Sequence, residues 1–153
     1  MPLQGDYAEP LPGWQADQIA EILRTGDTRS VDIMGRHVVL FTFRGVKSGL
    51  LRHLPLMRVE HGGWYAAVAS KGGAPENPAW YRSFVANPQV MIQDGTSTGD
   101  YVVHEATGEE RENWWKFCVE AFPPYAEYQE KANATTGRQI PVFICKPAEA
   151  PHS

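Results

Sequence analysis

The 153 residues predict an α+β fold, a small barrel of about six mainly antiparallel strands with covering helices. Three observations carry that expectation. β-Branched and aromatic runs recur from His37 onward and are separated by glycine turns. A helix-starting segment interrupts them after the third run, and a capped helical stripe precedes the last. With 42% hydrophobic and 11% aromatic residues, the chain can bury one sizeable core.

In chain order, residues 1–13 carry three prolines and two glycines and are expected to form an irregular arm before a single domain over 14–153. Residues 14–25 read as a helix with Ile19, Ile22 and Leu23 on one face and Gly26 placed to end it. Two uses stay open for it: a cover on the barrel, or an amphipathic arm making weak contact with a membrane surface. Strands follow over 37–43, 50–59 and 64–69, the last after a hairpin at Gly62-Gly63. Apolar residues fall on both parities in these runs, as expected where one face packs the barrel and the other meets a helix or a second subunit, so a homodimer is among the expected states. Asn87-Pro88 breaks the intervening helix, and two further strands over 90–93 and 101–106 flank a turn at 94–100. Thr107 and Glu110 form a capping-box pattern that launches a helix with Trp114, Phe117, Cys118, Ala121 and Phe122 on its core stripe. Trp115 lies partly off that stripe and reads either as packing or as a pocket wall. Pro123-Pro124 stops the helix, residues 125–131 begin a short successor, and 140–145 supply a sixth strand.

The chemistry concentrates in two cationic glycine turns. Ser70-Lys71-Gly72-Gly73 leads through Asn77-Pro78, a good N-cap and first helical residue, into Trp80 and Tyr81. Open main-chain amides, a helix start and Lys71 suit a phosphate or carboxylate, and the rings suit a flat cofactor beside it. The second turn is Gly45-Val46-Lys47-Ser48-Gly49, with Arg52 on the following strand. Loops at one rim of a small barrel lie close together, so Lys47, Ser48, Arg52 and Lys71 can grip one extended polyanion. Without the second turn, Lys47 and Arg52 read as solvated hairpin charge.

The remaining composition excludes several classes. A formal net charge of −4 argues against a nucleic-acid partner. The longest apolar runs are too short to span a bilayer and no signal core opens the chain, so a cytoplasmic location is expected, with peripheral membrane attachment as the variant. Cys118 and Cys145 read as packing residues. The five histidines at 37, 53, 61, 104 and 152 show no paired ligand spacing, so no metal site is expected. Ser70 lacks the elbow of a hydrolase nucleophile.

Together, Gly45-Val46-Lys47-Ser48-Gly49 with Arg52 and Pro55-Leu56, the segment 69–81, Asn87-Pro88, Tyr125, Tyr128 and Ile140-Pro141-Val142 resemble the deazaflavin-dependent nitroreductase family, split β-barrel oxidoreductases that use coenzyme F-420. The resemblance spans residues 36–147, and it is this likeness that implies a split barrel. It further implies hydride transfer from the reduced coenzyme to an electron-poor small molecule such as a quinone, an activated enone or lactone, or a nitroaromatic. The cofactor-binding residues it implies are Val46, Lys47, Ser48, Gly49, Arg52, Leu54, Pro55, Val68, Ala69, Ser70, Lys71, Gly72, Gly73, Ala79, Trp80, Tyr81 and Ser83. Tyr128, Ser70 and Tyr125 are implied on the acceptor side as the catalytic candidates; read from the residues alone, the two tyrosines, three apart on a helix, are equally amphipathic packing. Val46 stands where relatives commonly carry arginine, which leaves that contact to the main chain. An FMN-dependent split-barrel oxidoreductase and a non-catalytic deazaflavin carrier are the alternatives.

Overall fold

A computed structural model describes residues 3–9 and 13–148. The three prolines of the expected N-terminal arm, Pro2, Pro10 and Pro12, and His152 lie outside the described residues. Seven strands form one antiparallel sheet: β1 (Val38–Arg44), β2 (Leu51–Met57), β3 (Glu60–His61), β4 (Trp64–Val68), β5 (Gln89–Asp94), β6 (Ser97–Glu105) and β7 (Val142–Pro147). Their order across the sheet is β2-β1-β5-β6-β7-β4-β3. Beyond β2 the chain folds back so that the Ala66 N–H donates to Val59 O at 2.9 Å, and the sheet curls towards closure on itself. Four helices accompany it: α1 (Trp14–Thr25), α2 (Trp80–Ala86), α3 (Gly108–Ala121) and α4 (Pro124–Thr135).

β1 shows why alternation along the strands is imperfect. Six of its seven residues are buried because both faces are covered. Val39, Phe41 and Phe43 point into the barrel with Leu54, Ala67, Val90, Ile92, Val103, Phe143 and Phe84 of α2. Val38 and Leu40 pack outward under Ile19 and Ile22 of α1. On the far side, Ala66, Val68, Val142 and Ile144 meet Trp114, Cys118, Phe122 and Tyr125 of α3 and α4. Helices α1, α3 and α4 thus cover the outward face of the curled sheet while Phe84 of α2 packs into its interior, each burying the apolar stripe its sequence carries. Phe117 and Ala121 of the expected stripe are only partly buried at the edge of this layer. Trp115 packs, with the Arg111 guanidinium 4.7 Å over its ring.

Several boundaries depart from the sequence expectation. The seventh strand is β3, two residues paired with β4 across Gly62-Gly63, both at positive φ. The 94–100 turn contracts to Gly95-Thr96, because Ser97, Thr98 and Gly99 pair in register with Gln93, Ile92 and their neighbours; strand pairing overrides their turn-like composition. The last strand starts at Val142. Leu23 is 57% exposed, off the α1 face that Ile19 and Ile22 bury. The capping box does not form: Thr107 makes no side-chain cap, Gly108 takes φ 56°, and Glu110 accepts from His104 at 2.9 Å instead. α4 runs to Thr135 and absorbs part of the link expected before the last strand. Residues of the N-terminal arm add a short parallel bridge, Tyr7 beside Leu51. No helix among the described residues is long and apolar enough to cross a membrane.

Candidate functional site

The turn between β1 and β2 is braced from both sides. Gly45 N–H bonds to Leu50 O and Gly49 N–H to Gly45 O, both at 2.9 Å. Leu50 N–H donates to Ser48 Oγ at 3.1 Å. Gly49, at φ 72°, closes the loop. Gly45 is buried, and a Cβ there would stand 3.2 Å from Ser48 Oγ and 3.5 Å from Arg52 Nε. The exposed crown, Val46 to Gly49, is tied to α2 by Val46 N–H donating to Ser83 Oγ at 3.0 Å and by Asn87 Nδ2 donating to Arg44 O at 3.3 Å. Ser83, nominated as a cofactor contact, is buried and serves here as that brace. Neither Lys47 on the turn nor Arg52, half-buried on β2, has an ion-pair partner among the described residues.

The second turn leaves β4 with Ala69 N–H on Pro141 O. Three successive residues then adopt positive φ: Lys71 at 46°, Gly72 at 63° and Gly73 at 79°. A left-handed lysine costs about 1–2 kcal/mol, so the surroundings must hold it. They do so through Arg138, whose guanidinium donates to Ala69 O, Ser70 O, Ala74 O and Asn77 Oδ1. Gly73 is buried because it presses on α4: a Cβ would fall 2.5 Å from Tyr128 O and 3.0 Å from Tyr128 Cα. The close approach this glycine permits is to the backbone of α4. Lys71 Nζ meets Glu76 Oε1 at 2.7 Å across the exposed surface.

Asn77-Pro78 does not cap α2. The helix begins at Trp80 after Ala79, without a side-chain cap, since Asn77 Oδ1 is taken by Arg138. The helix runs for only seven residues. Trp80 and Tyr81 are only half available as flat surfaces. Trp80 packs 4.7 Å from Phe84, and Tyr81 lies 5.5 Å from Phe143 while its hydroxyl donates to Glu105 Oε1 at 2.6 Å. That hydrogen bond, reinforced by burial, pushes the Tyr81 phenol up to about 12.

The two turns meet at α2, one leading into its first residue and the other bonded to its last turn. Seven residues span about 10 Å, a distance that an extended ligand can bridge. Other nominated positions separate. Leu54 faces the barrel interior with Trp80 and Tyr81. Val68 points the opposite way, into the layer beneath α3 and α4 with Tyr125, and Pro55 takes the opposite parity from Leu54 on β2. Tyr125, expected beside the acceptor, is 6% exposed and wedged between Phe122 and Tyr128. Burial drives its phenol far above the ordinary range, and its ring packs within the layer beneath α3 and α4. Tyr128 is half-buried at the rim, its main chain against Gly73. A cavity of about 300 Å³ lined by Tyr65, Asp94 and Tyr101 lies at the other end of the barrel and contains none of the nominated residues.

A sequence profile described as F420H(2)-dependent quinone reductase matches residues 16–147. The chain belongs to that family. A solved structure of an F420-H2 dependent reductase, FDR-A, is 57% identical, with a TM-score of 0.66 over 71% of this chain and 93% of that one. A second, described as a domain-swapped dimer, is 53% identical, with a TM-score of 0.69 over 85% of this chain and 95% of that one. In Mycobacterium tuberculosis, a protein provisionally named F420H(2)-dependent quinone reductase Rv3178 is 34% identical over 109 residues, 71% of this chain and 88% of that one. Another from the same organism, F420H(2)-dependent quinone reductase Rv1261c, is 43% identical over 51 residues, 33% of this chain and 34% of that one.

Within this quinone-reductase fold, the sequence reading missed two arginines. Arg138 sits 61 to 69 residues from the groups it binds, a separation that no local pattern reveals. Arg111 is 5% exposed and donates to Ile140 O at 2.8 Å and Gln129 Oε1 at 3.3 Å. Its position three residues before Trp114 and seven before Cys118, on the buried stripe of α3, was the available signal.

Proposed function

We propose that this chain carries a hydride from reduced coenzyme F-420 to a quinone or a comparable electron-poor organic acceptor. The observation that carries the reading is the pair of cations without an ion-pair partner among the described residues, Lys47 on a turn bonded to the same short helix that the Ser70–Gly73 turn enters and Arg52 on the strand β2 that follows it. That donor set fits an acidic, phosphate-bearing tail: Ser48 adds a hydroxyl, Lys71 a third cation, and Gly45 keeps the floor free of a side chain. Trp80 and Tyr81, only partly buried, offer the aromatic surface for a flat ring. When bound, the deazaflavin supplies the hydride. The protein's part would be to grip the tail, orient the ring towards the acceptor and exclude water with the aromatic wall. Tyr128, next to the second turn, donates a hydrogen bond or a proton to the anion that develops on the acceptor. Ser70 orients the ring or the acceptor through its hydroxyl. By extension from the domain-swapped relative, the chain forms a homodimer, to be read by light scattering.

Side-by-side titration with coenzyme F-420 and FMN tests the reading. F-420 binds the wild type more tightly, and Lys47→Ala and Arg52→Ala each weaken it on the order of tenfold. Preference for FMN, or unchanged affinity in both variants, overturns the assignment.

A further inference from the structure

We propose that Arg138 is the positioning residue of the cofactor turn, a proposal that rests on the reading that the Ser70–Gly73 turn contacts the coenzyme. All five N–H donors of its guanidinium are used inside one loop. Nε reaches Ala74 O at 3.1 Å, Nη1 reaches Ala69 O at 2.9 Å and Asn77 Oδ1 at 2.8 Å, and Nη2 reaches Ser70 O and Ala74 O at 2.8 Å each. The acceptors bracket the left-handed run Lys71-Gly72-Gly73, two before it and two after it. A planar fork with five fixed donors sets the spacing between both ends of that run; an ammonium with three rotating donors cannot reproduce it.

Arg138 is itself fixed. Gln129 of α4 donates to Arg138 O at 2.9 Å, and its Oε1 accepts Ile140 N–H at 2.9 Å and Arg111 Nη2 at 3.3 Å. Thr136 Oγ1 donates to Pro75 O at 3.0 Å, and Gly73 abuts Tyr128. The coenzyme turn, the segment 136–140 and the helix bearing Tyr128 therefore form one stitched unit with Arg138 at its centre. The turn that meets the coenzyme is ordered before the ligand arrives, and its orientation relative to Tyr128 is set by the same guanidinium. Preorganisation of this kind lowers the entropy lost on binding, so it is read in coenzyme affinity.

The test compares wild type, Arg138→Lys, Arg138→Ala, Asn77→Ala and Lys47→Ala by coenzyme F-420 titration, steady-state kinetics with a quinone, thermal melting and amide hydrogen exchange. Arg138→Lys raises the coenzyme Kd on the order of tenfold and speeds exchange at residues 71–74, while the quinone KM at saturating coenzyme stays within about threefold. Ethylguanidinium restores part of the affinity of Arg138→Ala. Asn77→Ala, which removes one acceptor, raises the Kd by about threefold and serves where the arginine variants fail to fold. A lowered melting temperature with coenzyme Kd within twofold of wild type in Arg138→Lys and Asn77→Ala overturns the proposal, leaving Arg138 a stabilising residue only. Lys47→Ala separates the two readings: unchanged affinity there defeats the site assignment, whereas weakened affinity there with unchanged affinity in Arg138→Lys defeats the positioning role alone.

Discussion

Replacing Gly73 by alanine probes the junction on which the second turn depends. Gly73 stands at φ 79°, and an added Cβ would lie 2.5 Å from Tyr128 O, 3.0 Å from Tyr128 Cα and 3.1 Å from Lys131 Cβ. Restoring ordinary contact requires the turn and α4 to part by about 0.9 Å, and the obstructing atoms are helix backbone, which cannot rotate away. The left-handed conformation costs an alanine about 1–2 kcal/mol, overpacking adds about 1–3 kcal/mol, and the stiffer unfolded chain returns about 0.4–1 kcal/mol. The net loss is about 1–5 kcal/mol, centred near 3 kcal/mol, or roughly 6–12 °C in Tm at that centre for a chain of this size. Gly72→Ala is the internal control: φ is 63° but nothing lies within 4 Å of its Cβ, so it loses about 1 kcal/mol or less. Urea unfolding followed by tryptophan fluorescence, with Tm from calorimetry, gives both numbers. Equal stability of the two variants would refute the close approach of turn and helix.

Tyr128→Phe lowers kcat on the order of tenfold with quinone and leaves coenzyme Kd within about twofold, whereas Tyr125→Phe leaves kcat unchanged because its ring is buried; steady-state kinetics separate them, and the reverse pattern would reassign the acceptor side. The Tyr81 phenol, raised from 10 to about 12 chiefly by its hydrogen bond to Glu105, adds stability that is fully present below about pH 10 and is lost as pH rises through 12. Urea midpoints of wild type and Tyr81→Phe should therefore converge over that window, and parallel profiles would show that the bond does not form. Burial pushes the Cys118 thiol up to about 12 and the Cys145 thiol higher still, so iodoacetamide at pH 8 modifies neither in the folded protein and both in urea, read by intact mass. Labelling of either under native conditions would show that the layer beneath α3 opens.

Local patterns were legible wherever a residue's role depends on its neighbours in the chain. β-Branched and aromatic runs bounded by Gly62-Gly63 and by the 45–49 turn placed the strands, and the Trp114, Cys118 and Phe122 spacing placed the buried stripe of α3. The α1 face was legible through Ile19 and Ile22 but not at Leu23. Capping patterns misled twice, at Asn77 and at Thr107, because in each case a residue distant in sequence or a neighbouring strand supplied a competing partner: Arg138 for Asn77 Oδ1 and His104 for Glu110. Hydrogen-bonding groups commit to the partner that the whole fold brings nearest, and a motif records only the local candidate.

By itself the sequence carried the resemblance to the family, through the motif strings at 45–52 and 69–81, and determined the two cationic glycine turns and the alternation of strands and helices. Those are fixed by short-range sterics, hydrophobic period and charge, all written within a dozen residues. Tertiary structure alone decided which side of the sheet each nominated residue faces, that Tyr125 is spent in packing while Tyr128 stays at the rim, and that one arginine 61 to 69 residues away holds the left-handed turn. Such choices follow from how the sheet curls and which helix covers which face, because burial and long-range hydrogen bonds are assigned only when elements remote in sequence pack together.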